Sequence, residues 1–376
     1  ARALPSTMRV VARVARGSAL WHGRPRGLAT AAVCTKLGAP LELQHDWRLP
    51  PLGPTEVRVR IAAAGINYAD LLQARGQYQV KADPPFVPGN EAAGEVSEIG
   101  ERVSSLARGD KVIVLRRGGG YASESVAEEQ LCVKVPSASA DLVEAAALLV
   151  NYGTAHLALS RRAALQPHET VLVTAAAGGV GLATVELARL MGAARVLGAC
   201  GTAEKLALAA SRGSEEQGIV YRGMDGRAFR ARLKEVAGDA GVDVVVDMVG
   251  GELLEPCVRS LNWSGRAVVV GFASGSIPKV AANLLLVKNA SLSGLFWGSH
   301  LEHAPQTLRA SAEQLVRCCG VGKVARPATG QARLPRWWLA GEIRPHVGTR
   351  LPLARVNDAF ALIEGRATMG KVVLEP

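Results

Sequence analysis

A glycine-rich turn at residues 175–181 is the main chemical signal in the sequence. An apolar run leads into it and an Ala- and Leu-rich run follows, with the spacing Ala175-x-x-Gly178-x-x-Gly181. Gly178 lets the backbone approach a pyrophosphate, and Gly181 lets the following helix pack closely on the strand. The free N–H groups at the helix start would then face the phosphates. We therefore predict a dinucleotide site contacted by Ala175, Ala177, Gly178, Gly179, Val180 and Gly181.

The end of the next predicted strand indicates which dinucleotide is bound. An acidic residue there would read the ribose 2′-hydroxyl of NAD, but the sequence Gly198-Ala-Cys-Gly-Thr202 has no carboxylate. Glu204 comes later and is followed by Lys205, while Tyr221 and Arg222 end the following strand. Cations without an acid favour the 2′-phosphate of NADP(H). A solvated Lys205 and a packing role for Tyr221 would fit the same pattern.

The predicted dinucleotide-binding residues need a parallel sheet to position them, and the middle of the chain has the sequence pattern of such a sheet. The region 141–160 reads as one or two helices, after which apolar strands alternate with helical runs. All-apolar strands in this βαβα order predict a doubly wound parallel sheet covered on both faces. The predicted strands are Val171–Ala175, Arg195–Cys200, Ile219–Tyr221, Val242–Met248, Arg266–Phe272 and Ala290–Leu295, and the predicted helices are Leu182–Met191, Ala203–Arg212, Arg227–Ala237 and Leu253–Leu261.

The flanking regions have a different texture. From residue 30 to about 135, short alternating runs such as Glu56–Ala62 are separated by Gly, Pro and Asn, which predicts a compact, barrel-like β unit. The chain returns to this texture at its end, with a helix at Val356–Glu364 and a strand at Gly370–Leu374. We predict a β domain over 30–145, an α/β domain over 146–300, and a return to the β domain over 301–376.

The net charge of +11 is concentrated in two segments. Residues 1–29 contain six arginines and no acid, and Cys318–Trp337 contains four further cations and no acid, so the remaining body is nearly neutral. With aromatic residues at only 4%, this distribution argues against nucleic-acid binding. No apolar run approaches the roughly 20 residues needed to span a bilayer.

The two basic segments have separate interpretations. Residues 1–29 have the composition of a mitochondrial transit peptide, which predicts a location in the mitochondrial matrix; a disordered basic tail on a cytoplasmic protein is the alternative. The segment 318–337 interrupts what would otherwise read as one amphipathic helix from Ser311 to His346 with a stop at Gly341. We predict that 318–337 is an inserted, poorly packed loop that weakens the fold.

Several motifs together make the chain similar to a known family. It resembles the medium-chain dehydrogenase/reductase superfamily, in its zinc-free quinone oxidoreductase branch. The resemblance implies a GroES-like β-barrel domain, a Rossmann doubly wound parallel sheet and a homodimer formed through the Rossmann sheets. It covers about residues 30–376 and rests on the glycine turn and on Ala64–Asp70, Pro88–Gly94, Gly109–Val112, Gly119–Ala122, Asn151–Ala155 and Gly370–Val373.

Two asparagines separate the chain from the zinc-dependent relatives. The family places a cysteine and a histidine where this sequence has Asn67 and Asn90, and no cysteine lies between Asn90 and Val126. Neutral amides are poor ligands for tetrahedral zinc, so we predict that the protein holds no metal.

The resemblance also implies positions for the reacting groups. Asn67 would lie at the nicotinamide with Thr154 near its ring, and Tyr68 and Tyr152 are candidate donors, although both could equally be amphipathic wall residues. Further cofactor contacts are implied for Gly201 and Thr202 on the adenosine side, for Gly271, Phe272 and Ala273, and for Leu295, Phe296 and Trp297 beside the nicotinamide. Ordinary packing remains the alternative for the last three.

The predicted reaction follows from the missing zinc. Without a Lewis acid, the substrate must accept hydride readily, as a quinone or an α,β-unsaturated carbonyl does, and the product oxygen needs only a hydrogen-bond donor. The leading hypothesis is an NADPH-dependent reductase of such small electrophiles. A 2-enoyl thioester reductase and an NADPH-binding protein with little turnover, in a structural or RNA-associated role, are the alternatives.

Overall fold

The computed structural model describes residues 27–135, 140–316, 338 and 341–376. The predicted inserted segment 318–337 lies outside this part of the chain, and so does the predicted transit peptide apart from its last three residues. No helix in the described part is long and apolar enough to cross a membrane.

The secondary structure of these residues consists of short strands and mostly short helices. The strands are β1 (Leu28–Val33), β2 (Glu42–Arg48), β3 (Glu56–Ile66), β4 (Glu91–Ile99), β5 (Lys111–Leu115), β6 (Glu124–Glu128), β7 (Cys132–Lys134), β8 (Thr170–Thr174), β9 (Arg195–Cys200), β10 (Ile219–Val220), β11 (Val242–Asp247), β12 (Leu261–Val269), β13 (Ser291–Gly294), β14 (Val347–Pro352) and β15 (Lys371–Glu375). The helices are α1 (Tyr68–Ala74), α2 (Leu142–Ala145), α3 (Leu149–Leu157), α4 (Gly179–Leu190), α5 (Ala203–Ser211), α6 (Gly226–Ala237), α7 (Leu254–Arg259), α8 (Ala282–Lys288), α9 (His300–His303), α10 (Pro305–Val316) and α11 (Val356–Glu364).

The first domain is built on a seven-stranded sheet. Its strands run in the order β14-β15-β3-β4-β5-β7, with β6 paired to β3, and β1 and β2 form a separate hairpin. The long strand β3 alternates buried and exposed residues over residues 59–63, as its sequence pattern predicts, and residues 57–58 and 64–66 on either side are all buried. The last strand, β15, pairs with β3 through Val372–Leu374, so the C-terminus completes a sheet that the N-terminal part begins.

The second domain is a six-stranded parallel sheet in the order β10-β9-β8-β11-β12-β13. Every residue of β8 is buried, because helices cover both faces of the sheet. The carboxyl ends of all these strands point to one edge, which is where a doubly wound sheet binds its ligand. The predicted fold class, a GroES-like β domain with a Rossmann doubly wound sheet, is confirmed.

The helix predicted at Leu253–Leu261 is only partly present. Helix α7 ends at Arg259, and Leu261 instead begins β12 by pairing with Val242 of β11. The next pair joins Val244 to Arg266, so the residues between Leu261 and Arg266 bulge out of the sheet. The bulge hides the strand start from a periodicity argument because its residues are polar or exposed.

The region around the predicted insertion shows how its two ends meet. Helix α10 is described as far as Val316, and the backbone N–H of Trp338 donates to the carbonyl oxygen of Leu315 at 3.3 Å. Leu315 and Trp338 are both buried in one apolar core. Gly341, predicted as a helix stop, has φ +76°, which is the left-handed conformation that ends helices. Trp338 therefore packs beside the last described turn of α10.

Candidate active site and cofactor cleft

The glycine turn lies at the carboxyl end of β8, in the middle of the Rossmann sheet. Helix α4 begins inside it, at Gly179, three residues earlier than predicted. A Cβ on Gly181 would overlap the carbonyl oxygen of Ala175, whereas a Cβ on Gly178 would meet only that oxygen, at 3.3 Å. Gly181 is thus required by helix–strand packing. Gly178 leaves open space in front of the helix N-terminus, and this space fits a pyrophosphate.

Cations gather at the ends of the neighbouring strands β9 and β10. The Lys205 amine donates to the backbone carbonyl oxygen of Arg366 at 2.6 Å. Burial is the main cause that lowers the pKa of Lys205, and the nearby charge of Arg222 lowers it further. A Cβ on Gly201 would lie 3.7 Å from the Arg222 guanidinium. The charges of Arg222 and Arg366 both act on the Tyr221 phenol, and the Arg366 guanidinium donates to the Ser274 carbonyl oxygen at 3.1 Å. Within the structure's described residues none of these three cations is ion-paired. The cluster has the charge and position to hold a 2′-phosphate.

Two further predicted residues support this cluster. Thr202 caps α5 by accepting from the Lys205 backbone N–H at 3.3 Å, which sets the start of the helix that carries Lys205. Tyr221 is half-buried. Burial is the main cause that raises the pKa of its phenol to about 12, and Cys200 raises it further. Arg366 was not predicted, because it lies between α11 and β15 and reaches the cluster only through the tertiary fold.

The predicted nicotinamide end combines the ends of β12 and β13 with helix α3. Gly271–Ala273 follow β12, where the Ala273 N–H donates to the Met248 carbonyl oxygen at 2.9 Å. The Trp297 indole packs directly on Gly153, where a Cβ would lie 2.8 Å from the indole nitrogen. That indole N–H is buried without an acceptor among the described residues. Leu295 and Thr154 are buried beside it, and Phe296 is exposed.

A tyrosine that sequence reasoning missed lies at the same end of the cleft. The rings of Tyr78 and Phe296 meet edge to face, with centroids 5.9 Å apart. Burial is the main cause that raises the pKa of the Tyr78 phenol, and the charge of Asp70 raises it further. Tyr78 is therefore protonated near neutral pH and can donate a hydrogen bond. Tyr68, the predicted candidate, is the first residue of α1 and is 38% exposed.

The two asparagines sit on a buried carboxylate. Asp70 is fully buried and accepts from the Asn67 backbone N–H at 2.8 Å, the Asn90 amide at 2.5 Å and the Tyr121 hydroxyl at 2.7 Å. Burial raises the pKa of Asp70 to about 6, although the bond from Tyr121 opposes this. Within the described chain no group of three or more His, Cys, Asp or Glu residues could hold a metal ion. The side chain of Asn67 makes a second set of contacts, with Lys371 and Glu91.

Tyr152 is a correction to the predicted donors. Its hydroxyl donates to Glu186 of α4 at 2.7 Å, and the side chain is 2% exposed. Thr154 and Tyr152 are two residues apart in α3, so their side chains point in roughly opposite directions around the helix. Tyr152 holds α3 against α4 and has no hydroxyl proton left for a substrate.

The β domain and the glycine turn are joined by backbone contacts. The Gly370 N–H donates to the Ala177 carbonyl oxygen at 2.8 Å, and Gly178 and Gly370 form an isolated parallel bridge. The neighbouring Lys371 N–H donates to the His346 carbonyl oxygen at 2.8 Å. The start of β15 therefore connects the predicted phosphate site to the Asn67 region.

Comparisons with known proteins agree with this arrangement. A model of the alcohol dehydrogenase GroES-like domain matches residues 53–137, and a model of the zinc-binding dehydrogenases matches residues 179–316. Quinone oxidoreductase-like protein 2 of Mus musculus is 40% identical over 94% of this chain and 94% of its own length.

Solved structures show the same likeness. The Escherichia coli quinone oxidoreductase complexed with NADPH has a TM-score of 0.78 and 27% identity, covering 93% of this chain and 99% of its own. The Thermus thermophilus quinone oxidoreductase, also solved with NADPH, has a TM-score of 0.74 and 32% identity, covering 92% and 100%. The chain belongs to the quinone oxidoreductase branch of the medium-chain dehydrogenase/reductase superfamily.

Proposed function

We propose that this protein is an NADPH-dependent reductase that transfers hydride to quinones or α,β-unsaturated carbonyls without zinc. The observation that carries the proposal is the cluster of Lys205, Arg222 and Arg366 beside a glycine turn with room for a pyrophosphate. NADP(H) is the cofactor, as in the two solved relatives that hold NADPH. When bound, it supplies a hydride to an electron-poor carbon.

The chain's own residues supply binding and orientation. The N–H groups at the start of α4 hold the pyrophosphate of the cofactor, and the cation cluster holds its 2′-phosphate. Leu295 and Trp297 are buried and Phe296 is exposed where the chain leaves β13, and we assign these apolar side chains to the border of the nicotinamide. The amide of Asn67 and the protonated phenol of Tyr78 are hydrogen-bond donors for the oxygen on which negative charge develops.

The amides of Asn67 and Asn90 support the zinc-free part of the proposal. The Asn90 amide donates to Asp70 and its oxygen accepts from the Gly118 N–H at 3.2 Å, so both of its polar ends are committed to the protein. An acceptor that needs no Lewis acid suits such a site.

A substrate panel tests the proposal. NADPH oxidation is measured with an ortho-quinone, a small enone and an enoyl thioester, with NADH as the control cofactor. We expect turnover of the first two and a preference for NADPH. Turnover of the thioester alone would favour a 2-enoyl thioester reductase. NADPH binding without turnover of any compound would favour a structural or RNA-associated protein.

We also propose a homodimer formed through the Rossmann sheets. Strand β13 is the edge of its sheet, and Leu286, Val287 and Trp263 near this edge are 80%, 65% and 72% exposed. Exposed apolar side chains beside an open sheet edge favour pairing with a second copy. Light scattering should give a dimer that Leu286→Glu with Val287→Glu converts to a monomer. Leu43→Glu, in the other domain, is the matched control.

The composition of residues 1–29 supports a mitochondrial location. Imaging of the full chain fused at its C-terminus to a fluorescent protein tests this, and a diffuse cytoplasmic signal would contradict it.

A further inference from the structure

A buried ion pair lies beneath the Asn67 side chain. Lys371 is the first residue of β15 and is 3% exposed, and Glu91 is the first residue of β4 and is fully buried. The Lys371 ammonium donates to one oxygen of Glu91, and the other oxygen accepts from the Val150 N–H at 2.9 Å. Neither charge reaches solvent, so the pair can affect a substrate only through the residues it touches.

The residue Gly65 makes room for this pair. A Cβ there would lie 2.7 Å from Lys371 Cε and 2.8 Å from a Glu91 carboxylate oxygen, and it would also overlap the Ala146 carbonyl oxygen. Burial of a lysine and a glutamate is costly unless their hydrogen bonds are satisfied. A glycine at the next-to-last position of β3 indicates that the fold accommodates the pair closely.

The ion pair fixes which way the Asn67 amide faces. Lys371 Nζ lies 2.7 Å from Asn67 Oδ1, and Asn67 Nδ2 lies 3.3 Å from Glu91 Oε1. The oxygen and nitrogen of an amide have nearly the same shape, so neighbours must decide their assignment. An ammonium only donates and an ionised carboxylate only accepts, so the atom beside Lys371 is the oxygen and the atom beside Glu91 is the nitrogen.

This orientation determines what Asn67 offers to the cleft. Its oxygen is held by Lys371 and one N–H faces Glu91. Among the described residues, the remaining N–H has only the Gly65 carbonyl oxygen at 3.5 Å, the outer limit of a hydrogen bond. A substrate oxygen that gains negative charge is a better acceptor. An amide rotated by half a turn would present its own oxygen instead and would repel that charge.

We propose that Lys371 and Glu91 are positioning residues that hold the Asn67 amide as a hydrogen-bond donor to the product oxyanion. The inference rests on the proposed reductase function. It assigns a role to two buried residues, and it explains why a buried charged residue opens each of the strands β4 and β15.

A double-mutant cycle tests the inference. Quinone reduction is measured for Asn67→Ala, Lys371→Met and the double variant, with NADPH affinity followed by nicotinamide fluorescence. Each single change should lower kcat by about 100-fold, the loss seen when one oxyanion donor is removed, with the NADPH Kd within about three-fold of wild type. The double variant should be no slower than Asn67→Ala alone. If the two kcat losses multiply in the double variant, or if only the NADPH Kd changes, the proposal is overturned.

Two further variants separate positioning from folding. Lys371→Met leaves Glu91 unpaired, so the neutral combination Lys371→Met with Glu91→Gln should regain thermal stability while kcat stays low. Lys371→Arg keeps a donor and should recover part of kcat. If kcat returns together with the melting temperature in the neutral combination, the pair is structural only.

An activity-free measurement keeps this inference separate from the proposed function. In ¹⁵N-labelled protein, the Asn67 side-chain amide resonance is identified by its loss in Asn67→Ala. Lys371→Met should shift that resonance, whereas Lys134→Met, which breaks an exposed pair with Asp110, should not. No quinone or enone turnover by the wild type would defeat the function alone. An Asn67 amide resonance whose chemical shift is unchanged in Lys371→Met would contradict the positioning inference alone.

Discussion

The phosphate end of the cleft is built from backbone, whereas the Asn67 end is built from buried side chains. At the glycine turn, N–H groups and the absence of Cβ atoms create the site, and the three residues 178, 179 and 181 are all glycine. Around Asn67, Asp70, Glu91 and Lys371 form a network of charges with almost no exposure. The first site depends on space and the second on the balance of charge, so substitutions should damage them differently.

The largest effect is expected where space is tightest. Gly181→Ala would press a Cβ into the Ala175 carbonyl oxygen and onto the Ala176 backbone at 2.8 Å. Overpacking of this kind costs about 1–3 kcal/mol, so we expect the melting temperature to fall by several degrees and NADPH binding to be lost. Gly178→Ala is the matched control because its Cβ meets only one atom, at 3.3 Å. That variant should keep its stability and lose NADPH affinity. Equal melting curves for the two variants would contradict the distinction.

The next effect concerns the cation cluster. Arg222→Gln removes one charge-assisted contact to a 2′-phosphate, and such contacts contribute about 1.5–3 kcal/mol. The NADPH Kd should therefore rise about 10- to 100-fold, while the NADH Kd changes little. Arg232→Gln is the control, since Arg232 pairs with Glu235 on the exposed face of α6. A parallel rise for both cofactors would show that Arg222 does not contact the 2′-phosphate.

A third effect should appear in the pH dependence of stability. Burial raises the pKa of Asp70 to about 6 from an ordinary value of 3.8, so the folded protein holds this proton more tightly than the unfolded chain. The contribution of Asp70 to stability is thus greatest below pH 4 and is lost as the pH rises towards 6, with a limiting slope of about 1.4 kcal/mol per pH unit. Asp70→Asn should lack this slope in urea melts between pH 4 and 7. A constant difference between the two proteins would show that Asp70 is ionised throughout.

The smallest effect is expected from removing residues 318–337. The Trp338 backbone N–H already donates to the Leu315 carbonyl oxygen at 3.3 Å, so we expect a shortened chain to join Arg317 to Trp338 with little rearrangement. Since a shorter loop costs less closure entropy, we expect the melting temperature to rise by a few degrees without a change in NADPH Kd. An unchanged or lower melting temperature would show that the segment contributes to the fold.

The two ends of the cleft also differ in how far the sequence predicts them. The glycine turn is local, so its residues, its strand and its helix could be assigned from spacing alone. Asn67 was found through a motif, but Lys371 is 304 residues away from it, and only the return of β15 to β3 brings the two together. Arg366 and Tyr78 were missed for the same reason. The missed signal was a charged residue followed directly by apolar ones at the start of a strand, Glu91-Ala-Ala and Lys371-Val-Val.

The error on Tyr152 has a different cause. A motif identifies a helix that faces the cleft but not which of its side chains do so. Residues two apart on a helix differ by about 200° in direction, so Tyr152 and Thr154 cannot both face the nicotinamide. Gly153 lies about 100° from each of them around the helix, so its contact with Trp297 does not separate the two, whereas the hydrogen bond from Tyr152 to Glu186 does.

The bridge between Gly178 and Gly370 has a mechanical consequence. It fastens the last strand of the β domain to the turn at the centre of the Rossmann sheet, so the two domains are pinned at the floor of the cleft. Any opening that admits cofactor must pivot about this point, with the largest displacements at the outer walls. Since Lys371 follows Gly370 directly, the pivot lies next to the charges that orient Asn67, and the geometry of the reacting end should be the part least disturbed by each opening and closing.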